Sequence, residues 1–167
     1  MNLKAIPYRP IGVIHSEHLQ PEKTPIQPVY ARECRGRAEV FPEYAAGLRD
    51  LEDFSHLYLI YHFHRAEPAP LLVKPYLQDA ERGVFATRFQ SRPNPIGLSV
   101  VELERIEGNI LYLKGVDILD GTPLLDIKPY TAKFDGIAAR QSGWQDEVDD
   151  TSARRYGRRN YGKDETA

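Results

Sequence analysis

Residues 55–64 set the kind of fold open to this chain. Leu57, Leu59, Tyr61 and Phe63 alternate with His56, Tyr58, Ile60, His62 and His64, a period of two that sends each set to its own face of a pleated strand. One face is apolar and belongs in a core; the other is aromatic and rich in histidine. Similar segments recur. Residues 10–16 read as a first strand with Gly12 at a bulge, residues 36–41 as a second, and residues 83–89 as one that sets Val84, Ala86 and Arg88 opposite Phe85, Thr87 and Phe89. Residues 98–106 and 110–116 flank Glu107-Gly108-Asn109, which is good hairpin chemistry, and residues 124–127 complete the strands. One helical segment follows Pro42, with Tyr44, Leu48 and Leu51 on one face. So many short strands beside so little helix predict a mainly β barrel or sandwich. The alternation of strands with long helices that a Rossmann sheet needs is absent.

At 167 residues, 41% of them hydrophobic, the chain can bury one core. The expected division is a β domain over residues 1–144 and a charged, mobile C-terminal extension over residues 145–167. The net charge of −2 hides an uneven distribution: Arg154, Arg155, Arg158, Arg159 and Lys163 give residues 151–167 a net +3, leaving −5 elsewhere. Residues 17–28 carry three prolines and no apolar periodicity, so Lys23-Thr24-Pro25-Ile26-Gln27 is a candidate lid. No apolar run approaches the roughly 20 residues of a membrane span, and the N-terminus has no apolar export signal. The single cysteine, Cys34, excludes an internal disulfide, fits a reducing cytoplasm and reads as a passive residue near a strand start.

Two blocks read neither as plain core nor as plain loop. In Arg88-Phe89-Gln90-Ser91-Arg92-Pro93-Asn94-Pro95-Ile96-Gly97, two prolines force Arg92 and Asn94 into extended backbone and stiffen a polar loop. The second, residues 117–130, holds the turn Asp120-Gly121-Thr122-Pro123 between Asp117 and Asp126. Apolar strands around a few convergent polar groups are what a small-molecule pocket needs. Other constellations are weaker. His62 and His64 share a strand face and, with His15 and His18, suggest a metal site without a clear carboxylate or thiol partner. Gly157-Arg158-Arg159-Asn160-Tyr161-Gly162-Lys163 imitates a phosphate loop but is followed by Asp164 and preceded by no strand, so it is discarded. The interleaved Arg154, Arg155, Tyr156, Arg158, Arg159 and Tyr161 suit either an RNA contact or a solvated terminus.

The two blocks, with Pro10-Ile11-Gly12-Val13-Ile14-His15-Ser16, Glu39-Val40-Phe41-Pro42-Glu43-Tyr44, Leu51-Glu52-Asp53-Phe54-Ser55-His56, Tyr61-His62-Phe63-His64-Arg65 and Gly83-Val84-Phe85-Ala86-Thr87-Arg88, resemble the TrmO (TsaA-like, YaeB-like) family across roughly residues 8–135. The resemblance implies a single-sheeted β-barrel with one or two short helices and a C-terminal extension. It also implies an S-adenosylmethionine-dependent methyltransferase that modifies the base nitrogen of threonylcarbamoyl-adenosine beside the tRNA anticodon, with the cofactor near a homodimer interface. Longer bacterial members carry a further C-terminal domain, which this chain is expected to lack. On this reading Pro93, Asn94, Ile96, Gly97 and Leu119 form an adenine slot. Asp120, Gly121, Thr122 and Asp126 supply acceptors or backbone for hydroxyl and amino groups, Arg88 or Arg92 pairs with the cofactor carboxylate, and His64 lies closest to the cofactor. Asp117, Asp126 and Tyr130 are the candidate bases. tRNA is the expected partner, with Arg154, Arg155, Arg158 and Arg159 as its contacts. Two rivals remain: a non-catalytic RNA-binding module, and a metal-dependent hydrolase built on His62 and His64.

Overall fold

Six strands close on themselves in the order β1-β2-β7-β6-β3-β8, and a separate two-stranded sheet, β4-β5, lies outside the barrel. The strands are β1 (Gly12–Ser16), β2 (Arg35–Val40), β3 (His56–His62), β4 (Leu72–Val73), β5 (Arg82–Gly83), β6 (Ile96–Glu107), β7 (Ile110–Lys114) and β8 (Thr122–Pro129). The structure is a computed structural model describing residues 5–68 and 70–159. Every barrel pair is antiparallel, including the β1–β8 pair that closes it.

The β3 alternation places the core as expected. Leu57 and Leu59 are fully buried and Tyr61 nearly so, and they meet Ile14, Ala38, Val40, Val101, Leu111, Leu113, Val116, Ile118 and Leu124. Burying a leucine or isoleucine contributes about 1.5–3 kcal/mol, so these strand faces outweigh local propensity. The β6–β7 hairpin turns at Gly108-Asn109, with φ +63 at Gly108. Asn109 fastens this turn to β2: its Nδ2 donates to Val40 O at 2.6 Å and its carbonyl accepts from Val40 N at 2.9 Å.

Several expectations need correction. Gly12 pairs with Val40 in unbroken register; the bulges fall at Ile60/Tyr61 and Leu103/Arg105. The helix after Pro42 is a 3-10 segment, Pro42–Leu48, ended by Asp50 at φ 65, and Tyr44 is exposed while Leu48 is buried. Residues 83–89 add no barrel strand: Arg82–Gly83 pairs with Leu72–Val73, and Val84–Ala86 forms a 3-10 turn. The lid candidate lies in a loop built from 3-10 turns at Pro21–Lys23 and Pro28–Tyr30. Residues 145–159 are not without structure. Helix α1 (Ala132–Asp135) is followed by a 3-10 segment, Gly143–Glu147, and by α2 (Asp150–Gly157), capped by Asp149 Oδ1 on Ser152 N at 2.9 Å. The discarded phosphate-loop imitation falls mostly outside the described residues, and Tyr161 and Lys163 of the basic tail lie outside them. Among the described residues, no helix is long and apolar enough to cross a membrane.

Candidate functional site

One end of the barrel collects the polar blocks. There β3 runs out through His62 to His64, residues 87–95 lead into β6, and residues 115–121 cross from β7 to β8. Register brings them together: His62 pairs with Ile96, Tyr61 with both Gly97 and Leu124, and Ile14 with Thr122. Phe63 N donates to Pro95 O at 2.8 Å, and the Phe63 ring meets the Tyr61 ring edge-on at 5.3 Å. The stiff Pro93-Asn94-Pro95 loop is thereby pinned to the end of β3, with Ile96 N donating to Asn94 O at 2.7 Å. Gly97 is required where it stands, because a Cβ there would run into the Tyr61 ring.

Beneath that loop lies a three-member hydrogen-bond relay. Ser99 Oγ donates to Asp117 Oδ1 at 2.6 Å and lies 3.0 Å from the Tyr61 hydroxyl. The serine has one proton and spends it on Asp117, so Tyr61 donates to Ser99. Burial pushes the Asp117 carboxyl up to about 7, against the opposing pull of Ser99 and the Arg88 charge. Burial, with the Asp117 charge second, also raises the Tyr61 phenol. The site thus holds a carboxyl that exchanges its proton near neutral pH.

Thr122 organises a second cluster. Its Oγ1 donates to Leu119 O at 2.6 Å and lies 3.3 Å from His64 Nδ1, so the imidazole is the donor in that contact. Burial first, then the charges of Arg65 and His62, lower the His64 pKa against the pull of Asp120, keeping the ring neutral at pH 7. Asp120 Oδ1 accepts from Ser16 N at 2.9 Å and lies 3.6 Å from His15 Nδ1. Gly121, at φ 74, donates to Ile14 O at 2.9 Å. Ser16 Oγ donates to Ile118 O at 2.6 Å and His18 Nε2 lies 2.8 Å from Val116 O, so the end of β1 ties down residues 116–121.

Two cations approach this end. Arg88 Nη1 donates to Gln27 Oε1 at 2.5 Å, and its charge is felt by both Asp117 and Tyr61. Arg92 Nη1 donates to Thr87 O at 3.3 Å. Arg92, Pro93 and Pro95 line a recess of ≈ 260 Å³ with Ala66, Glu67 and Pro68. A larger concavity, ≈ 390 Å³, lies by Leu48, Ile106 and Gly108 near the β6–β7 turn, away from these groups.

Not all the expected residues gather. Asp126 pairs with Ile60 partway along β8, and its Oδ2 holds Lys128 Nζ at 2.8 Å. Tyr130 packs edge-on against Tyr58 at 5.6 Å and His56 at 6.3 Å, beside the start of β3 rather than its end. His62 and His64 belong to no set of three metal-ligating groups; among the described residues the set with that property is Glu17, His18 and Cys34. Cys34 is buried just before β2. Sequence reasoning gave no site role to Ser99 or to the hydroxyl of Tyr61, and read Gln27 only as part of the lid candidate. Ser99 had a readable signal, as a polar residue at an inward position of an apolar strand.

Comparison with known proteins follows the same stretch of chain. The family model of the tRNA-methyltransferase O N-terminal domain matches residues 13–136. A probable S-adenosyl-L-methionine-binding protein of Pyrococcus abyssi is 57% identical over 137 residues, covering 82% of this chain and 74% of that protein. The human tRNA (adenine(37)-N6)-methyltransferase is 41% identical over 133 residues, 75% of this chain but 30% of its own length. A crystal structure of TrmO from Pseudomonas aeruginosa superposes with a TM-score of 0.73 at 40% identity, covering 87% of this chain and 63% of that one.

Proposed function

The chain belongs to the family of the tRNA-methyltransferase O N-terminal domain, and from that premise we propose that it is an S-adenosylmethionine-dependent methyltransferase acting on threonylcarbamoyl-adenosine beside the tRNA anticodon. The chain spans less than two thirds of the human and Pseudomonas relatives, so substrate and partners rest on this chain's own residues.

The donor set fits the cofactor. Arg88 offers a guanidinium for a carboxylate, the Asp117 carboxylate suits a nearby cationic group, and Asp120 offers oxygens for hydroxyls while the buried Thr122 fixes the Leu119 carbonyl and the His64 ring beside it. When bound, S-adenosylmethionine supplies an electrophilic methyl group on a sulfonium. Alignment then contributes most of the acceleration, and the chain's own chemical task is to receive a proton from the attacking nitrogen.

The single observation that carries this reading is the Tyr61–Ser99–Asp117 relay beside Arg88. A carboxyl that exchanges its proton near pH 7 is matched to general-base work. Asp117 is therefore the base of choice. Asp126 is engaged by Lys128 and Tyr130 packs on aromatic rings elsewhere.

The same proposal includes a homodimer formed through the outer face of β3 and β6, where Leu98 and Ile96 are exposed beside Ile60 and His62. It includes tRNA contact by Arg154, Arg155 and Arg158, which are exposed on and just past α2, and by the half-buried Arg159, a cytoplasmic location, and the division of the chain after residue 144. Calorimetric titration with S-adenosylmethionine and S-adenosylhomocysteine tests the cofactor. Methyl transfer to tRNA with and without the threonylcarbamoyl group tests the acceptor. Failure to bind either ligand sinks the reading, and transfer indifferent to the threonylcarbamoyl group sinks the acceptor.

A further inference from the structure

We propose that residues 143–159, which lie beyond the stretch matched by the family domain, form a brace that sets the position of Arg88, with Gly157 and Gln27 as positioning residues. The inference rests on the cofactor reading above and adds to it the means by which an exposed arginine is kept in place.

Arg88 is exposed on a loop, where a long side chain samples many rotamers and ordering it opposes ligand binding. Its contact with Gln27 limits that freedom, and Gln27 is itself held from both sides. On one side, Ile26 N donates to Gly157 O at 2.9 Å. On the other, Tyr30 N donates to Gln27 O at 3.0 Å, and the Tyr30 ring lies against Gly157, where any Cβ would strike it. The end of α2 therefore grips the Pro28–Tyr30 turn at a place only glycine fits.

The loop that carries Arg88 is held by the same segment. Trp144 Nε1 donates to Ala86 O at 2.8 Å, two residues before Arg88. Gln78 Nε2 donates to Trp144 O at 3.3 Å. On the far side of Arg88, the Arg159 guanidinium stands 4.5 Å over the Tyr76 ring, the Tyr76 hydroxyl donates to Gln90 Oε1 at 3.1 Å, and the Tyr76 and Phe89 rings lie 5.5 Å apart. One C-terminal segment thus reaches the loop before Arg88 directly, the loop after it through Tyr76, and Gln27, which accepts the Arg88 hydrogen bond, through its neighbours Ile26 and Tyr30.

The test uses the full-length chain and the affinity for S-adenosylhomocysteine measured by calorimetry, with thermal melts as the check on folding. Gln27→Ala, Gly157→Val and the pair Trp144→Phe/Arg159→Ala should each weaken binding by about 3- to 10-fold, the range set by ordering one rotamer-rich side chain on binding. Placed in an Arg88→Ala background, none of the three should weaken binding further, because the residue they position is gone. Should Gly157→Val fail to fold, the surface change Gln27→Ala carries the same comparison. Affinities within twofold of wild type, or losses that persist undiminished without Arg88, would overturn the brace. Absence of binding by the wild-type chain would instead overturn the cofactor reading, and the brace with it.

Discussion

Replacing Asp117 by Asn should change how stability depends on pH, in a direction the structure fixes. The folded protein holds this carboxyl at about 7 against an ordinary aspartate value of 3.8, so between those limits the native state binds more protons than the unfolded chain. Stability from this group is therefore fully present below pH 4 and lost as pH rises to about 7. Three units correspond to about 4 kcal/mol at 1.36 kcal/mol each. Asp117 is only partly buried, and solvent screening reduces that to about 2 kcal/mol, of which about 1 kcal/mol falls between pH 5 and pH 8. Asparagine keeps an oxygen for the Ser99 hydroxyl and has no proton to lose. Melting both proteins at pH 5 and pH 8 should show the variant gaining about 2–4 °C on the wild type as pH rises, taking about 2–4 °C per kcal/mol for a domain of this size. The buried His18 and the half-buried His64, whose pKa values are lowered mainly by desolvation, act oppositely: their contribution is present above 6.5 and lost as pH falls through their folded values. They are common to both proteins and cancel in the comparison. A constant difference in melting temperature across that window would refute the burial argument for Asp117.

Other substitutions probe the remaining contacts. Gly97→Ala should cost about 1–3 kcal/mol by overpacking, read from urea unfolding, and the penalty should shrink in a Tyr61→Leu background; an equal penalty in both would remove the Tyr61 ring as its cause. Thr122→Val leaves Leu119 O without its donor at a buried position. It should cost about 1–3 kcal/mol and weaken cofactor binding, whereas a variant as stable as wild type would show that the hydroxyl holds nothing. Leu98→Arg places a charge on the exposed face of β6 and should give a monomer in analytical ultracentrifugation. A variant that sediments as the wild type does would move the dimer interface elsewhere.

The legible parts of the fold were those set by local rules. The alternation of β3 follows from a pleat with one buried face, and the β6–β7 turn from the backbone freedom of Gly108. Residues 84–86 carry strand-forming side chains but fold as a 3-10 turn, with Thr87 Oγ1 and Thr87 N both bonded to Val84 O. The closed barrel leaves no edge for them to join. After Pro42, Gly47 and the left-handed Asp50 stop any full α-helix from forming. At the site, the proline loop and the Asp120-Gly121 turn announced themselves by their turn chemistry. The relay did not, because joining Tyr61, Ser99 and Asp117 depends on which residues of β3 and β6 stand opposite one another. Asp126 and Tyr130 share a block of sequence with Asp117, but β8 carries them away from the mouth at about 3.3 Å per residue.

Closure between β1 and β8 has a consequence for how the protein comes into being. Ser16 and Asp120, bonded across the seam, are 104 residues apart, and Gly121 and Thr122 reach β1 over similar separations. Pairings so distant in sequence form slowly and late. As the chain leaves the ribosome, β1 has one neighbour, β2, and must wait for almost the whole domain to be made before it meets the other. The Asp120 turn acquires its fixed shape only at that meeting. A nascent chain halted before β8 can fold hairpins but has no binding site, so affinity for a small ligand would report that synthesis has passed residue 129 and that the first and last strands have found each other.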